Sequence, residues 1–363
     1  MNLNDQHDAL VADLDTPEAI RAAFSAHPRH RYIPEQILAQ PTQPPVDVNA
    51  DPETWASLVY QSDAVITQAD PTVKGWATSS SSAPQLMADM IDAARIRPGM
   101  RVLEIGTGTG WNAAILSTLV GPAGSVTSVE IDPDVASAAR ERLAGTRARV
   151  ITGAEIPDTD VYDALIATCA VSEVPVDWLD RVKPEATIVA PWTPDRTSNS
   201  TPVVALRKSG WTCARGPFVR EASFMNNRTQ RPGDVPFPGM GCEPEEVSRF
   251  VVTSEELLDS DLMTPLMLML PGVRLGVGIR PWEGGHGWIV YLGTPDGSWA
   301  YLWPDGTVHS GGRENLVERL GKAYETLRSV DGVDVTAFSL EVSPPSRVCH
   351  VRSPFGEWEH RVA

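Results

Sequence analysis

The most regular hydrophobic pattern of the chain lies between residues 101 and 191, where short apolar runs alternate with stretches of helical spacing. Buried strands are predicted at residues 102–105, 125–130, 149–152, 162–168 and 187–190. Helices are predicted between them at residues 111–119, 133–143 and 175–179. Strands and helices in alternation are typical of an α/β protein with a parallel, doubly wound sheet, which binds ligands at the carboxyl ends of its strands.

The flanking residues extend this predicted first domain to residues 1–225. Residues 8–25 are expected to be helical, and residues 40–72, rich in Pro, Asp and Gln, are expected to form a covering loop. Ser82 is expected to cap a helix at residues 85–94. Two further strands, which should complete the sheet, are predicted at residues 202–207 and 211–219.

A second, smaller α+β domain is predicted at residues 226–363, after a Pro/Gly-rich join. Its strands are predicted at residues 273–279, 288–293, 299–303, 335–342 and 347–351, and its helix at residues 315–330. The module contains five tryptophans: Trp282, Trp288, Trp299, Trp303 and Trp358. Tryptophans at this density usually pack in a core, and a peptide-binding groove is the alternative.

Three glycines at alternating positions follow the first strand of the sheet, in the sequence VLEIGTGTGW at residues 102–111. Glycine accepts a positive φ and lets a ligand approach the main chain. Twenty residues after Gly110, the second strand ends in Glu130, where an acid can accept hydrogen bonds from the hydroxyls of a ribose. The glycine turn and the acid together indicate a nucleoside cofactor.

The acid before the glycines distinguishes between nucleoside cofactors. Dinucleotide sites have the pattern GxGxxG, with a helix N-terminus facing a pyrophosphate. Here the pattern is ExGxGxG, with Glu104 as its acid. A carboxylate suits a cofactor with a cationic amino acid end, so S-adenosylmethionine (SAM) is favoured over a nicotinamide dinucleotide. A glycine turn without a ligand is the remaining alternative, and the position of Glu130 argues against it.

Acidic residues outnumber basic ones by 47 to 30, which gives a net charge of −17 at pH 7. A surface this acidic repels phosphate backbones and anionic lipid, so neither nucleic acid nor membrane partners are expected. The polar N-terminus and the lack of a long apolar run predict a cytoplasmic protein. No metal-ligand spacing is present, so no metal is predicted. Buried free thiols are expected at Cys169, Cys213, Cys242 and Cys349.

Two further segments have both a structural and a functional interpretation. Residues 28–34 (PRHRYIP) are the most basic cluster of the chain, and they form either a solvated turn or a positive patch for a substrate carboxylate. In residues 79–84 (SSSSAP), the serines either cap the next helix or hold a carboxylate through hydroxyl and N–H groups.

Between about residues 21 and 221, the chain resembles the protein-L-isoaspartate (D-aspartate) O-methyltransferase family. Residues 28–34 are similar to the family's P-R-x-x-F-x-P, and residues 80–84 stand where it has T-I-S-x-P. Residues 102–110 resemble its glycine motif, and residues 162–170 its Y-D-A-I-x-x-x-A-A. The glycine motif is common to many methyltransferases, so the serine segment and the proline–arginine segment are the specific part.

The resemblance implies the class I SAM-dependent methyltransferase fold, which is Rossmann-like. It implies SAM as methyl donor and an aspartyl or isoaspartyl carboxylate of a peptide or protein as acceptor. Ser80 and Ser82 would flank the acceptor carboxylate as catalytic residues. The implied cofactor site comprises Glu104, Gly106, Thr107, Gly108, Gly110, Glu130, Ile131 and Ala154. The implied substrate side comprises Arg29, Arg31, Ser81 and Thr168.

Several departures from the family pattern bear on the substrate or, at residues 153–155, on the adenine side of the cofactor site. Thr-Ile-Ser is replaced by three serines, the family's Gly-Asp-Gly after the third strand is Gly153-Ala154-Glu155, and repair enzymes generally lack a part like residues 226–363. Relatives that tailor ribosomally made peptides, macrocyclic precursors among them, pair the domain with such an extension and convert aspartate to aspartimide. The extension and the serine segment favour tailoring over housekeeping isoaspartate repair. A non-catalytic SAM-binding module is a third hypothesis.

Methyl transfer to a carboxylate requires alignment rather than a general base, because the nucleophile is already ionised at pH 7. Positioning of this kind can be worth about 7–11 kcal/mol of barrier. A methyl ester beside a peptide N–H then loses methanol and closes to a succinimide. The lack of a convincing His–Asp pair in the sequence agrees with this chemistry.

Overall fold

The computed structural model describes residues 2–73, 75–156, 161–194, 200–230, 237–239, 241–259, 261–282 and 285–361. Contacts along the chain divide it into two compact units. The first unit consists of Met1–Cys169, Asp177–Ala190 and Arg207–Trp211, and the second of Ala170–Val176, Pro191–Leu206 and Thr212–Ala363. The contacts thus group residues 212–225 with the later part of the chain, whereas the sequence assigned them to the first domain. The border after residue 225 stays a prediction.

The first unit begins with helices and short strands and continues with strands that alternate with helices. Its helices are α1 (Leu3–Ala12), α2 (Glu18–Ser25), α3 (Pro52–Tyr60), α4 (Pro84–Ala93), α5 (Trp111–Val120), α6 (Pro133–Arg142) and α7 (Val176–Arg181). Its strands are β1 (Gln36–Ile37), β2 (Val46–Asp47), β3 (Val65–Ala69), β4 (Ala77–Ser81), β5 (Arg101–Ile105), β6 (Ser125–Glu130), β7 (Ala148–Thr152), β8 (Tyr162–Ala167) and β9 (Val182–Pro191).

The sheet of the first unit is parallel, with the strand order β9–β8–β5–β6–β7. Its central strands are covered on both faces, which is why they consist of nearly continuous apolar runs. Leu103 and Leu165, for example, stand opposite each other on β5 and β8 and are both fully buried. The predicted α/β fold with a doubly wound sheet is confirmed. Because β5, β6 and β8 are parallel, their carboxyl ends meet at one edge of the sheet.

The expected loop at residues 40–72 is wrong, because this region contains α3 and β3. The side chain of Asp51 caps α3 by accepting a hydrogen bond from the Thr54 N–H at 3.1 Å. Trp55 and Val59 of α3 pack in a small core, whose other buried members are Ile33, Ile37, Ala56 and Val65. This local core explains why an apolar stretch inside a Pro-rich region becomes ordered.

The expected cap at Ser82 is also wrong. Helix α4 begins at Pro84 with Ala83 as its N-cap, and no side chain caps it. The Ser82 hydroxyl is therefore not committed to the end of this helix.

The second unit is built mainly from antiparallel strands. Its helices are α8 (Ser254–Leu258), α9 (Met263–Met269) and α10 (Leu316–Arg328). Its strands are β10 (Val203–Lys208), β11 (Ala214–Arg220), β12 (Glu246–Arg249), β13 (Arg274–Trp282), β14 (Gly285–Gly293), β15 (Trp299–Leu302), β16 (Thr307–Gly311), β17 (Ser339–Ser343), β18 (Val348–Ser353) and β19 (Gly356–Arg361).

These strands form two groups, ordered β19–β18–β17–β11–β10 and β12–β16–β15–β14–β13. The predicted strand at residues 335–342 is partly corrected, since Val335–Ala337 is a 3-10 turn and the strand covers Ser339–Ser343. β19 was not predicted. Its sequence GEWEHR is mostly polar, and only His360 in it is buried.

The tryptophans of the second unit are not uniformly buried. Trp299 is 5% exposed and packs with Tyr301, whereas Trp288 is 48% exposed. The prediction of buried thiols holds for Cys349 but is wrong for Cys242, which is exposed, and Cys169 and Cys213 are half-buried.

No helix in the described part of the chain is long and apolar enough to cross a membrane. The same residues contain no group of three or more His, Cys, Asp or Glu side chains that could hold a metal ion.

Candidate active site

The glycine turn after β5 has the backbone conformation that its sequence predicts. Gly106, Gly108 and Gly110 have φ values of +90°, +53° and +89°, all in the left-handed region that disfavours side chains. All three are also closely approached by their neighbours, Gly110 by the Leu143 side chain at 3.2 Å from an added Cβ. A Cβ at Gly106 would lie 2.6 Å from Thr168 Oγ1, and one at Gly108 would lie 3.1 Å from the carbonyl oxygen of Ser80. The turn therefore needs glycine for both conformation and space.

Glu130 ends β6 beside this turn, as predicted. Its Oε2 accepts a hydrogen bond from the Gly108 N–H at 2.9 Å, and its Oε1 accepts one from the Asp132 N–H at 3.1 Å. Each carboxylate oxygen has a further lone pair, so both can still accept a hydrogen bond from a diol. Asp132 in turn caps α6, by accepting bonds from the N–H groups of Asp134 and Val135.

Glu104 lies beneath the turn and is fully buried. Its Oε1 accepts a hydrogen bond from Asn112 Nδ2 at 2.7 Å, and its Oε2 accepts one from the Ser128 hydroxyl. Ser128 Oγ is 2.5 Å from Thr107 Oγ1, so the hydroxyls form a chain that ends on the carboxylate. Burial raises the pKa of Glu104 to about 7, although these hydrogen bonds oppose the shift.

This network corrects the expected direct contact of Glu104, whereas a cofactor contact of Thr107 stays a prediction for its backbone. Glu104 has no exposed surface and both its oxygens are bonded to protein groups, so it supports the turn instead of facing a ligand. The Thr107 side chain is buried and directed to Ser128, so only its backbone remains for a cofactor. Asn112 and Ser128 were not predicted, because polar residues on a helix and a strand carry no signal until their neighbours are known.

The serine segment forms strand β4, which pairs with β3 so that Ile66 stands opposite Ser80 and Val65 opposite Ser81. Alternation along the strand buries Ser79 and Ser81 and leaves Ser80 half-buried on the other face. Ser79 accepts a hydrogen bond from Thr67 at 3.1 Å. The Ser81 hydroxyl is buried and has no hydrogen-bond partner among the described residues, so a substrate contact of Ser81 stays a prediction for its backbone.

The hairpin of β3 and β4 reaches both sides of the glycine turn. The Ser80 carbonyl lies against Gly108, as the distance above shows. On the other side, Gln68 Nε2 of β3 donates a hydrogen bond to Asp132 Oδ2 at 3.2 Å, two residues after Glu130. The predicted catalytic serines and the predicted cofactor turn are therefore neighbours within the first unit.

Arg29 binds the backbone at the end of this hairpin through its buried guanidinium. Its guanidinium donates hydrogen bonds to the carbonyls of Ser81 at 3.1 Å and Ser82 at 2.9 Å. It donates further bonds to the carbonyls of Val59, Gln61 and Asp63, at 2.8, 3.2 and 3.0 Å. The side chain is fully buried, and its Cζ stands 5.1 Å from the centre of the Trp111 ring. Burial lowers the pKa of Arg29 to about 9, so it remains protonated at neutral pH.

Both interpretations of the basic cluster are thus wrong for Arg29, which is neither solvated nor available to a substrate. Arg31 is exposed, and its contact with a substrate stays a prediction. The Thr168 hydroxyl donates to the Gly106 carbonyl at 2.6 Å and so supports the turn, and its contact with a substrate stays a prediction. Ile131 is 39% exposed and Ala154 is exposed, and their contacts with a cofactor stay predictions.

The geometry fits a nucleoside cofactor at the carboxyl edge of the sheet. The turn is built from three glycines in the left-handed region, and a carboxylate with spare lone pairs stands beside it. Glu130 and the backbone of the turn would hold the ribose and the amino acid end of SAM.

Comparison with known proteins agrees with this site. Residues 14–213 match the family model described as protein-L-isoaspartate(D-aspartate) O-methyltransferase. A protein-L-isoaspartate O-methyltransferase of Rhodopseudomonas palustris is 32% identical over 53% of this chain and 88% of its own length. One from Ignicoccus hospitalis is 35% identical over 39% of this chain, which spans only 65% of that relative.

A solved structure named protein-L-isoaspartate O-methyltransferase has the same fold over 97% of this chain and 99% of its own, with a TM-score of 0.54 and 21% identity. The fold is that of the class I SAM-dependent methyltransferases. The family match covers more than half of the chain, and it includes the glycine turn, the serine strand and Arg29. The chain belongs to the protein-L-isoaspartate(D-aspartate) O-methyltransferase family.

Proposed function

We propose that this chain is a SAM-dependent carboxyl methyltransferase that acts on an aspartyl or isoaspartyl side chain of a peptide or protein. One observation carries the proposal beyond family membership. The backbone of Ser80 lies directly against Gly108, so the serine strand and the cofactor turn meet at one point. An acceptor carboxylate held by the serines would stand next to the methyl donor.

SAM, when bound, supplies an electrophilic methyl group. The residues of the chain bind and orient. Hydroxyls of Ser80 and Ser82 donate hydrogen bonds to the acceptor carboxylate and so align one oxygen lone pair. Neutral donors leave that oxygen more nucleophilic than a guanidinium would, which agrees with the burial of Arg29 away from it. Arg29 acts through the backbone, because it fixes the carbonyls of Ser81 and Ser82.

Two substrate classes fit this activity. Replacement of Thr-Ile-Ser by three serines favours a dedicated peptide, whose aspartate would be methylated and closed to an aspartimide. A macrocyclic precursor peptide belongs to this class. Housekeeping repair of isoaspartate is the alternative, and a structure named protein-L-isoaspartate O-methyltransferase shares the fold of this chain over 97% of its residues. The C-terminal part of the chain therefore does not distinguish the two.

Methyl transfer from labelled SAM to a short isoaspartyl peptide and to its aspartyl twin separates these classes. Turnover of the isoaspartyl peptide alone supports repair. If neither peptide is methylated although SAM binds, a dedicated peptide partner is supported. In an active system, Ser82→Ala should lower turnover about tenfold or more while SAM affinity is kept. Ser79→Ala is the matched control, because its hydroxyl is bonded to Thr67. Equal turnover in the Ser82 variant and wild type would contradict the proposed role of the serines.

A further inference from the structure

Strand β13 is an open edge of the five-stranded sheet in the second unit. Among the residues that the structure describes, β13 pairs with β14 on one side and with no strand on the other. It is nine residues long and pairs with β14 without interruption from Arg274 to Trp282. Edge strands present a row of backbone donors and acceptors, which proteins usually shorten, charge, interrupt with proline or cover. In β13, Pro281 has no N–H to donate, so residues 275–280 form the regular part of this row.

The side chains of β13 on one face form a stripe that begins buried and ends exposed. Leu275 is 6% exposed, whereas Val277 and Ile279 on the same face are 41% and 48% exposed. Across the hairpin, Trp288 stands directly opposite Ile279 and is 48% exposed. Cross-strand neighbours of this kind touch, so the three exposed residues form one apolar patch beside the open edge. We call Val277, Ile279 and Trp288 the hairpin patch.

The opposite face of β13 lacks exposed aliphatic side chains beside the hairpin patch. Gly276 and Gly278 have no side chains there, and the rings of Phe237 and Tyr291 lie against them. Arg280 stands over the Tyr291 ring at 5.4 Å. A strand added beside β13 would therefore meet apolar side chains on one face and a guanidinium on the other. Side chains alternate between faces along a strand, so the matching ligand has apolar residues at every second position and an acid between them.

We propose that the edge of β13 binds an extended peptide segment of this pattern by adding it as a further strand of the sheet. An added strand pairs with the backbone groups of an edge, and the hairpin patch supplies the apolar contact that gives such pairing its specificity. The proposal depends on the proposed function only for the claim that a peptide or protein segment is the partner.

A second copy of the chain is the competing occupant. The net charge of −17 opposes the approach of two copies, since both carry the same large negative charge. A short peptide with a single acid experiences mainly the nearby Arg280, because charges farther than about 10 Å are screened at physiological salt. The charge balance therefore favours the peptide.

The test uses a fluorescent peptide of nine residues, the length of β13, with Val or Ile at alternate positions, one Glu, and Ser elsewhere. Its controls are a scrambled peptide of the same composition and a version N-methylated at alternate residues, which cannot donate to an edge. The full chain should bind the alternating peptide at least about tenfold more tightly than either control. Binding should also slow amide hydrogen exchange in β13. Equal binding of the three peptides, or unchanged exchange, would overturn the proposal.

Ile279→Asp should weaken binding of the alternating peptide about tenfold or more, because it puts a charge in the hairpin patch. Ile279→Ser is a milder second variant that should act in the same direction. Val247→Asp is the matched control, since Val247 is 60% exposed on β12, the other edge of the same sheet. If Val247→Asp weakens binding as much as Ile279→Asp does, the assignment to β13 is wrong. If the wild-type chain is a dimer that Ile279→Asp dissociates, the occupant of the edge is a second copy, and the proposal is also wrong.

Because the probe carries Glu and no aspartate, its binding is independent of methyl transfer. Binding without turnover of any aspartyl or isoaspartyl peptide would contradict the proposed function alone. Turnover with no selective binding of the alternating peptide would contradict this inference alone.

Discussion

Replacing Arg29 tests whether the serine segment is positioned from within the protein. Its guanidinium donates hydrogen bonds to five backbone carbonyls, at residues 59, 61, 63, 81 and 82. A hydrogen bond from a charged group contributes about 1.5–3 kcal/mol, but the bonds share one side chain and one burial cost, so their values do not add. Removing the guanidinium leaves these carbonyls without their donor and a cavity in its place, and such large-to-small changes cost about 2–5 kcal/mol.

We therefore expect Arg29→Ala to lower the free energy of unfolding by about 2–5 kcal/mol. Urea unfolding followed by tryptophan fluorescence measures this change, and Trp111 lies beside the altered site. Arg29→Lys keeps the charge but not the planar fork, so it should recover only part of the loss. Arg31→Ala is the matched control: Arg31 is exposed, and the change should stay within about 0.5 kcal/mol.

The kcat of Arg29→Ala distinguishes a role in positioning the serine segment from a role in stability alone. With the carbonyls of Ser81 and Ser82 released, kcat of the folded variant should fall about 10- to 100-fold, because displacement by about 1 Å can have that effect. SAM affinity should change much less, since the hydrogen bonds of Arg29 go to carbonyls of residues 59–63 and 81–82 and not to the glycine turn. Wild-type stability of Arg29→Ala would refute the structural reasoning. Reduced stability with normal kcat in the folded enzyme would refute the positioning role alone.

Three further predictions concern Glu104, Gly108 and Ser81. Glu104 has a raised pKa of about 7 because it is buried, so the folded state holds its proton more tightly than the unfolded chain does. Stability should therefore fall as pH rises from 4.5 to 7, and urea unfolding should show a flatter pH dependence in Glu104→Gln. Gly108→Ala should weaken SAM binding at least about tenfold by calorimetry, whereas Gly99→Ala, equally left-handed but with open space, should not. Ser81→Ala removes a buried hydroxyl without a partner, so thermal unfolding should show equal or higher stability, by up to about 1 kcal/mol; a clear loss would reveal a partner for this hydroxyl.

The sheet of the first unit and its glycine turn could be predicted because their signals are local. An apolar run followed at once by Gly106, Gly108 and Gly110 specifies a strand, a turn and a helix within about ten residues. The same is true of Asp132 and Pro133, where a capping side chain and a proline mark the start of α6. The α3 helix had an equally local signal in Asp51-Pro52, but the Pro-rich composition around it suggested a loop.

The roles of Arg29 and Glu104 could not be predicted, because both depend on the tertiary structure. A basic cluster at residues 28–34 gives no sign that one guanidinium is enclosed by carbonyls from residues 59–82. Likewise, an acid before a glycine motif can face a ligand or lie beneath the turn. Burial among Asn112 and Ser128, which are distant in sequence, decides between these options.

The order in which the chain visits its two units has a consequence for protein synthesis. The first unit has all of its residues by Trp211, whereas the second begins at Ala170–Val176 and ends only at Ala363. Strand β11 pairs with β17, more than a hundred residues later, so it leaves the ribosome long before its partner exists. A nascent chain that pauses after β11, or an engineered chain cut at residue 225, exposes this unpaired edge. Such a truncation should aggregate unless a chaperone or an added strand covers β11.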